Sequence, residues 1–449
     1  MSDFEAVTSR VRERVDPTTA ERERLRDAAD RLVSRVEDAL ADLDVDADVV
    51  RVGSTARGTW VRGDRDIDVF VRFDADLPRE DLERLGLAVG NRVLPDGHEE
   101  YAEHPYVKGS FEGYDVDLVP CYRVADATKI QSAVDRTPFH NAYLVERLTE
   151  DLAADVRLFK QFLKGIGAYG SDLRTRGFSG YLTELLVLEY GGFEEALDAA
   201  ANWHPQVVLD PEDHGTREFD DPLVVIDPTD PERNVAAVVS PEQVARVQHY
   251  ARRLLADPRE DVFFPEEPEP LTPADVERHL ARRGTSALAV RFETPDLVED
   301  QLYPQLRRSR EGLVRGLEDA GFDVLRSAAW ADDVSILFVE LASGTLPAIE
   351  RHDGPPVHVE EHATGFYDAY ANEDVYGPFI DGDRYVVERE RETRTAVAFA
   401  DERLPEVALG ARVASLVEDG EYDVLADEEV AVLAEPFGAA FARYFDPTP

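Results

Sequence analysis

Apolar residues recur at helical spacing over residues 18–43, where Leu25, Ala29, Leu32, Val36, Leu40 and Leu43 share one face. Thr18 followed by Glu21 predicts a capping box at its start. A strand is expected at 48–52, then the turn Gly53-Ser54 and a short helix start over Thr55–Thr59. Two β-rich runs follow, Asp66–Phe73 and Asp115–Val119, the second ended by Pro120, with a helix over 79–93 between them. This order predicts a mixed α/β domain over residues 1–142. Residues 145–166, 179–199 and 241–256 read as helices, with Gly191-Gly192 as a break and turns at Asp210–Pro222 and Asp227–Pro231. They predict a helical central domain over 143–268. A Pro- and Glu-rich linker at 265–273 precedes an alternation of helix 274–283, strand 287–292, helix 303–320, and strands 322–329 and 334–341. This predicts an α+β body and tail over 269–449, so the chain as a whole reads as multidomain α/β and α+β.

The length of 449 residues agrees with about three domains. Apolar residues make up 43%, enough for several buried cores. The 94 acids against 49 bases leave a formal net charge of −45, which argues against a polyanion binder acting by bulk attraction. Lys108, Lys129, Lys160 and Lys164 are the only lysines; every other base is arginine. Abundant acid with little lysine resembles proteins of salt-loving cells, where concentrated salt screens self-repulsion. Nucleic acid would then be held by shape, stacking and close contacts. The single cysteine, Cys121, excludes an internal disulfide and a multi-cysteine zinc site. No apolar run approaches the ~20 residues of a membrane span, and the start MSDFEAVTSR is too polar for a secretory signal, so a cytoplasmic protein with no membrane partner is expected.

Asp66 and Asp68 are two apart on an expected strand, so both carboxylates point to one face. Alone, such a pair is an ordinary solvated strand face. A divalent cation between them would offset their repulsion. Gly53-Ser54 directly after a strand lets backbone and hydroxyl approach a phosphate. Phosphate contacts beside paired carboxylates point to nucleotidyl transfer. A third carboxylate is available in Tyr114–Pro120, where Asp115 and Asp117 share a strand face and spacing does not choose between them.

Gly-Ser followed at this distance by Asp66-Ile67-Asp68-Val69 resembles the signature of polymerase-β-type nucleotidyltransferases. GSTARGTW (53–60), DIDVF (66–70), DVDLVPCY (115–122), RTPFHNAYL (136–144), RGFSGYLTELL (176–186), DPTDPERNVAA (227–237) and LYPQL (302–306) together resemble archaeal CCA-adding enzymes, the class I tRNA nucleotidyltransferases. The resemblance runs in the family's order over nearly the whole chain and is weakest after about residue 345. It implies a nucleotidyltransferase head and addition of C, C and A to the tRNA 3′ end from CTP and ATP. It selects Asp117 as the third carboxylate, because the family usually has an apolar residue where Asp115 stands. Asp66, Asp68 and Asp117 would then be catalytic and hold two Mg²⁺ ions. By the same resemblance Gly53, Ser54, Arg57, His140, Lys160 and Tyr169 contact the nucleotide, and Arg233 reads the incoming base.

Arg157, Lys160 and Lys164 fall on one face of an expected helix, which places half of the chain's lysines there. Arg307, Arg308, Arg310 and Arg315 cluster after LYPQL and would grip tRNA backbone, although a salt-bridged surface helix would look the same. The resemblance implies that the C-terminal part measures the acceptor and T arms by shape, as proteins do with A-form RNA; members of the family are often homodimers, and the sequence itself shows no interface signature. His358-Val359-Glu360-Glu361-His362 matches a zinc-protease pattern, but it follows Gly354-Pro355-Pro356, and related enzymes have no zinc role there. The competing readings are another RNA nucleotidyltransferase such as a poly(A) polymerase, and a catalytically inactive RNA-binding relative.

Overall fold

The structure, a computed structural model, describes residues 3–43, 45–101 and 103–449. Chain contacts divide it into two compact units, Met1–Glu266 and Glu267–Thr448, and the division falls inside the Pro- and Glu-rich linker.

The first unit begins with α1 (Asp3–Val15) and α2 (Thr19–Ala41). Thr18 caps α2 in a reciprocal box with Glu21, as its sequence predicts. Next come β1 (Ala47–Val52), α3 (Gly53–Arg57), β2 (Asp66–Asp74), α4 (Arg79–Val93), β3 (His98–Tyr101), β4 (Pro105–Phe111) and β5 (Tyr114–Arg123). They form one sheet in the order β1-β2-β5-β4-β3, with β2 and β5 parallel and the other pairs antiparallel. Alternation decides its two faces. Ile67, Val69, Val71, Phe73, Val116 and Leu118 bury one face against Leu25, Leu32 and Val36 of α2 and Leu82 and Val89 of α4. Asp66, Asp68 and Asp117 have the opposite parity and lie on the other face.

One expectation for this sheet is corrected, and the hairpin β3–β4 falls in residues 94–114, for which no element was predicted. Strand β5 does not end at Pro120 but runs to Arg123. Its pairing to β4 stops at Leu118, while its pairing to β2 continues to Arg123. Pro120 therefore sits where β5 has one neighbour, and its missing N–H costs no ladder bond.

The second core of this unit gathers α5 (Thr137–Arg147), α6 (Glu150–Gly165), α7 (Gly180–Tyr190), α8 (Phe193–Ala201) and, after β6 (Val207–Leu209), β7 (Leu223–Asp227) and β8 (Asp230–Asn234), also α9 (Pro241–Ala256). Helix α1 joins it through Val7, Val11 and Val15. The helix expected at 145–166 is two helices, because Thr149 caps the start of α6 by accepting from Leu152 N. The helix expected at 179–199 divides at Gly191, which takes a left-handed conformation at the end of α7. Strands β6, β7 and β8 form a small sheet in the part of the mostly helical domain that reads as turns.

The second unit contains α10 (Pro273–Arg283), β9 (Ser286–Glu293), α11 (Glu299–Asp319), β10 (Val324–Ala331), β11 (Val334–Leu341), β12 (Ile349–Pro356), α12 (Glu360–Tyr370), β13 (Tyr376–Asp381), β14 (Arg384–Glu390), α13 (Ala396–Arg403), α14 (Ala411–Glu418), β15 (Asp423–Ala426) and α15 (Ala434–Phe445). Its four-stranded antiparallel sheet, β10-β11-β9-β15, is covered on one face by α11, α13 and α14 and on the other by α10 and α15. Strands β12, β14 and β13 make a separate three-stranded sheet against α12. This is an α+β unit. His358 precedes α12, His358 and His362 are exposed, and among the described residues no group of three or more His, Cys, Asp or Glu side chains is already closed into a metal cluster, the acids of β2 and β5 included.

Candidate active site

The carboxylate face is built by strand register. Asp66 pairs with Asp115, and Asp68 pairs with Asp117, across the parallel β2–β5 ladder. The register therefore sets Asp117 opposite Asp68 and Asp115 opposite the exposed Asp66 at the strand end. Burial, together with the charges of Asp117 and Asp66, pushes the Asp68 carboxyl up to about 6. Asp66 is raised by burial and by Asp64 and Asp115. Asp117 is raised by burial, with Lys108 opposing. Lys108 stands opposite Asp117 on β4, with Nζ 3.5 Å from Asp117 Oδ1. It is the counter-charge paired with Asp117, while Arg57 acts ahead of it on Asp68 and Lys164 joins it on Asp66, and sequence reasoning missed the role of Lys108. Its rarity was a usable signal, since it is one of four lysines.

Gly53 has φ +77°, and a Cβ on it would stand 1.8 Å from Asp68 Oδ2. Glycine is required twice over, by the backbone conformation and by the approach of the carboxylate. Ser54 follows within α3. Hard carboxylate oxygens on one face, partly desolvated and mutually repelling, suit a hard divalent cation.

A second cluster surrounds Glu184 of α7, which is wholly buried. Arg57 donates Nε and Nη2 to its two oxygens at 3.2 and 2.8 Å, and Nη1 to Asn141 Oδ1 at 2.9 Å. Lys160 is 3% exposed; its Nζ donates to Thr59 O at 3.1 Å and lies 3.7 Å from Glu184 Oε1. Thr59 Oγ1 also donates to Glu184. Burial pushes Glu184 upward, but Arg57 and Lys160 outweigh it and hold the carboxyl below its ordinary value. Burial lowers Lys160, with Glu184 opposing. Of the three cations expected on one face of α6, Arg157 and Lys160 are turned inward and Lys164 is exposed. Arg157 bonds Gly58 O and Asp16, Lys160 bonds Thr59, and Lys164 Nζ lies 3.2 Å from Asp64 Oδ1. A Cβ on Gly180 would stand 3.1 Å from Tyr169 Oη and 3.8 Å from Lys160 Nζ, so those two polar tips converge at the start of α7. Glu184 was missed in the sequence, although an acid inside the apolar run of α7 marks a buried, paired group.

A third cluster centres on Asp227, also wholly buried. His140 Nε2 lies 2.8 Å from Asp227 Oδ2, and Arg233 donates Nη1 to the same oxygen at 2.7 Å. Tyr181 Oη and Thr229 serve the other oxygen, and the His140 and Tyr181 rings stack with centroids 3.9 Å apart. Burial lowers the His140 imidazole, against the pull of Asp227. Burial would raise Asp227, but His140, Thr229 and Arg233 together hold it well below the carboxylate range.

Asn141 joins the clusters, since α5 carries both it and His140, and its Nδ2 donates to Arg51 O on β1. The ten expected metal- and nucleotide-site residues thus all lie in the first unit. Arg307, Arg308, Arg310 and Arg315 lie along α11 of the second. Arg308 and Arg315 are exposed, and Arg310 lies 3.4 Å from Glu311.

Three domain families match the chain: the nucleotidyltransferase domain over residues 33–140, the second domain of tRNA nucleotidyltransferase over 154–264, and the C-terminal domain of CCA-adding enzyme over 283–427. The CCA-adding enzyme of Halobacterium salinarum is 64% identical, with 100% of both chains covered. That of Haloarcula marismortui is 59% identical, again with 100% of both covered. The Methanosarcina barkeri enzyme is 42% identical over 95% of this chain and 94% of its own. Full-length identity to these proteins, carried on a sheet that sets Asp68 beside Asp117, places the chain in the family of CCA-adding enzymes, the tRNA nucleotidyltransferases.

Proposed function

We propose that Asp66, Asp68 and Asp117 form the catalytic centre for addition of C, C and A to the 3′ end of tRNA, the activity of this chain's family. The observation that carries this assignment is the β2–β5 register, which sets Asp68 opposite Asp117 with Asp66 on the same face. The tRNA 3′-oxygen attacks the α-phosphorus of CTP or ATP in line, the bond to the β-phosphate oxygen breaks, and pyrophosphate leaves. Family enzymes use divalent metal; here Asp66, Asp68 and Asp117 would hold two Mg²⁺ ions, which polarise the phosphate and favour ionisation of the 3′-hydroxyl.

Gly53 and Ser54 bring backbone and hydroxyl to the triphosphate. Arg57 and Lys160 supply positive charge beside it, held in place by Glu184. Tyr169 and His140 line the nucleotide, and Arg233 reads the base edge of C or A with donors that Asp227 leaves free. Arg307, Arg308, Arg310 and Arg315 contact the tRNA backbone while the C-terminal part measures the acceptor and T arms. The three-domain division at about 142 and 268, a homodimer and a cytoplasmic location complete this reading. No helix among the described residues is long and apolar enough to cross a membrane.

The test is incubation with tRNA lacking its CCA end, in concentrated KCl and Mg²⁺, with each labelled triphosphate offered alone and in pairs. Two C additions, one A and a stop are expected. An A-only ladder would assign the chain to the poly(A) polymerase alternative, and binding without incorporation to an inactive relative. Asp68→Ala should bind tRNA and incorporate nothing; turnover by that variant would overturn the metal assignment.

A further inference from the structure

The turn between β7 and β8 presents two carboxylates in register, Asp227 opposite Asp230. Each anchors one arginine. Asp227 takes Nη1 of Arg233 at 2.7 Å, and Asp230 Oδ2 takes Nε and Nη2 of Arg136 at 3.2 and 2.9 Å. A guanidinium has five N–H donors. Arg136 therefore keeps its Nη1 donors, and Arg233 its Nε and Nη2 donors, outside these bonds.

Both arginines line one cavity of about 840 Å³, with side chains 23% and 35% exposed. Arg217 and Phe219 form another part of its wall, with the Arg217 guanidinium carbon 5.3 Å from the Phe219 ring centroid. The loop carrying them is tied to the hairpin through Thr216 N, which donates to Pro231 O at 3.1 Å. Asp230 and Glu232 also line the cavity and Asp227 holds Arg233, so three arginines are matched by three carboxylates, a locally neutral site in a chain of net charge −45. The cavity has the volume of a small-molecule site. It combines forked donors for phosphate oxygens or base edges with an aromatic face for stacking.

We propose that this cavity is a nucleotide site in which Arg136, braced by Asp230, is a second reading arginine beside Arg233, and Phe219 is a stacking surface. The inference rests on the reading of Arg233 as the base-contacting residue. The ligand chemistry is one nucleotide unit. It has two sources, the incoming triphosphate and the last nucleotide of the tRNA. The paired carboxylates make the site selective, because a donor fork held on one edge can meet only acceptors placed along its free edge.

Equilibrium binding in concentrated KCl tests this without turnover. CTP, ATP, tRNA ending in CC and tRNA lacking those nucleotides are each titrated separately. The proteins are wild type, Phe219→Ala, Arg136→Gln and the double variant Arg136→Gln/Asp230→Asn, which leaves no unpaired acid if the single variant fails to fold. Loss of stacking or of a forked contact should weaken the correct ligand by about fivefold or more. Weaker CTP and ATP binding identifies the triphosphate as the occupant. Weaker binding of tRNA ending in CC, with the shorter tRNA unaffected, identifies the RNA end. Unchanged affinity for all four ligands in folded Phe219→Ala and double-variant proteins overturns the proposal. The wild-type product ladder separately tests ordered C, C, A addition, so its failure and failure of the cavity assignment are distinguishable.

Discussion

Arg57 of α3 donates two guanidinium N–H groups to the two carboxylate oxygens of Glu184, 127 residues away on α7. Lys160 shares the same acid from α6. Removing the acid's charge leaves two buried cations without a counter-charge. Glu184→Gln should therefore cost roughly 3–5 kcal/mol of stability, the range for breaking a buried pair from one side. Thermal unfolding in concentrated KCl measures it. A variant as stable as wild type would show that the two cations do not depend on Glu184.

Gly53→Ala tests the approach of backbone to carboxylate. The new Cβ would overlap Asp68 Oδ2, and its φ of +77° is strained for alanine. Asp68 must shift, and displacement of about 1 Å at a reacting centre costs on the order of 100-fold in rate. Single-turnover incorporation should fall by that order while tRNA affinity stays constant. An unaffected rate would remove Asp68 from the reacting centre.

The raised Asp68 carboxyl carries a pH signature. A group whose folded pKa lies above its unfolded value favours the folded state at low pH, and that contribution is lost as pH rises through the folded value. For Asp68 the window runs from its ordinary value of 3.8 to about 6. Metal-free protein should lose this contribution across that window, and Mg²⁺ should raise Tm more at pH 7 than at pH 5. Asp68→Asn should raise the metal-free Tm at pH 7 by a few degrees, about what ~1 kcal/mol gives for a domain of this size. It should also abolish incorporation. Equal Mg²⁺ stabilisation at both pH values in wild type would contradict the placement of a cation among Asp66, Asp68 and Asp117.

Arg308 and Arg315 are exposed and seven residues apart on α11, so they share a helix face. If both contact tRNA phosphates, Arg308→Glu/Arg315→Glu should weaken tRNA binding and lower the salt slope of log K by about 1 per lost contact. CTP affinity should not change. An unchanged slope would return these residues to the role of a salt-bridged surface.

The charge of −45 predicts dependence on salt. Tm should rise steadily with KCl as screening shortens the range of repulsion. Full stability in dilute buffer would separate the acidity from any salt requirement.

Local periodicity carried much of the architecture. Helices 79–93 and 241–256 and strand 334–341 have the bounds that patterning predicts, and the Gly53 to Asp68 string pointed to the strand face proposed as the site. Those features depend on neighbours a few residues away, which a one-dimensional pattern records. The choice of Asp117 over Asp115 came from family resemblance, since both share a parity. The fold adds that Asp117 stands opposite the half-buried Asp68 and Asp115 opposite the exposed Asp66, a relation between residues about fifty apart. Likewise, the three basic residues at helical spacing on α6 predicted a shared face. That Arg157 and Lys160 on this face are buried, with Lys160 beside Glu184, while Lys164 stays exposed, depended on tertiary packing such as that of α7 against α6. Asp227 looked like a turn residue until tertiary contacts brought His140 and Arg233 to it. Residue type and spacing set which side chains share a strand or helix face, because parity and helical period are properties of the local backbone, and the family's motifs in order pointed to the chemistry. Which charges face each other, and which are buried, was decided only by packing distant segments together, because the strength of an ion pair depends on separation and desolvation in space.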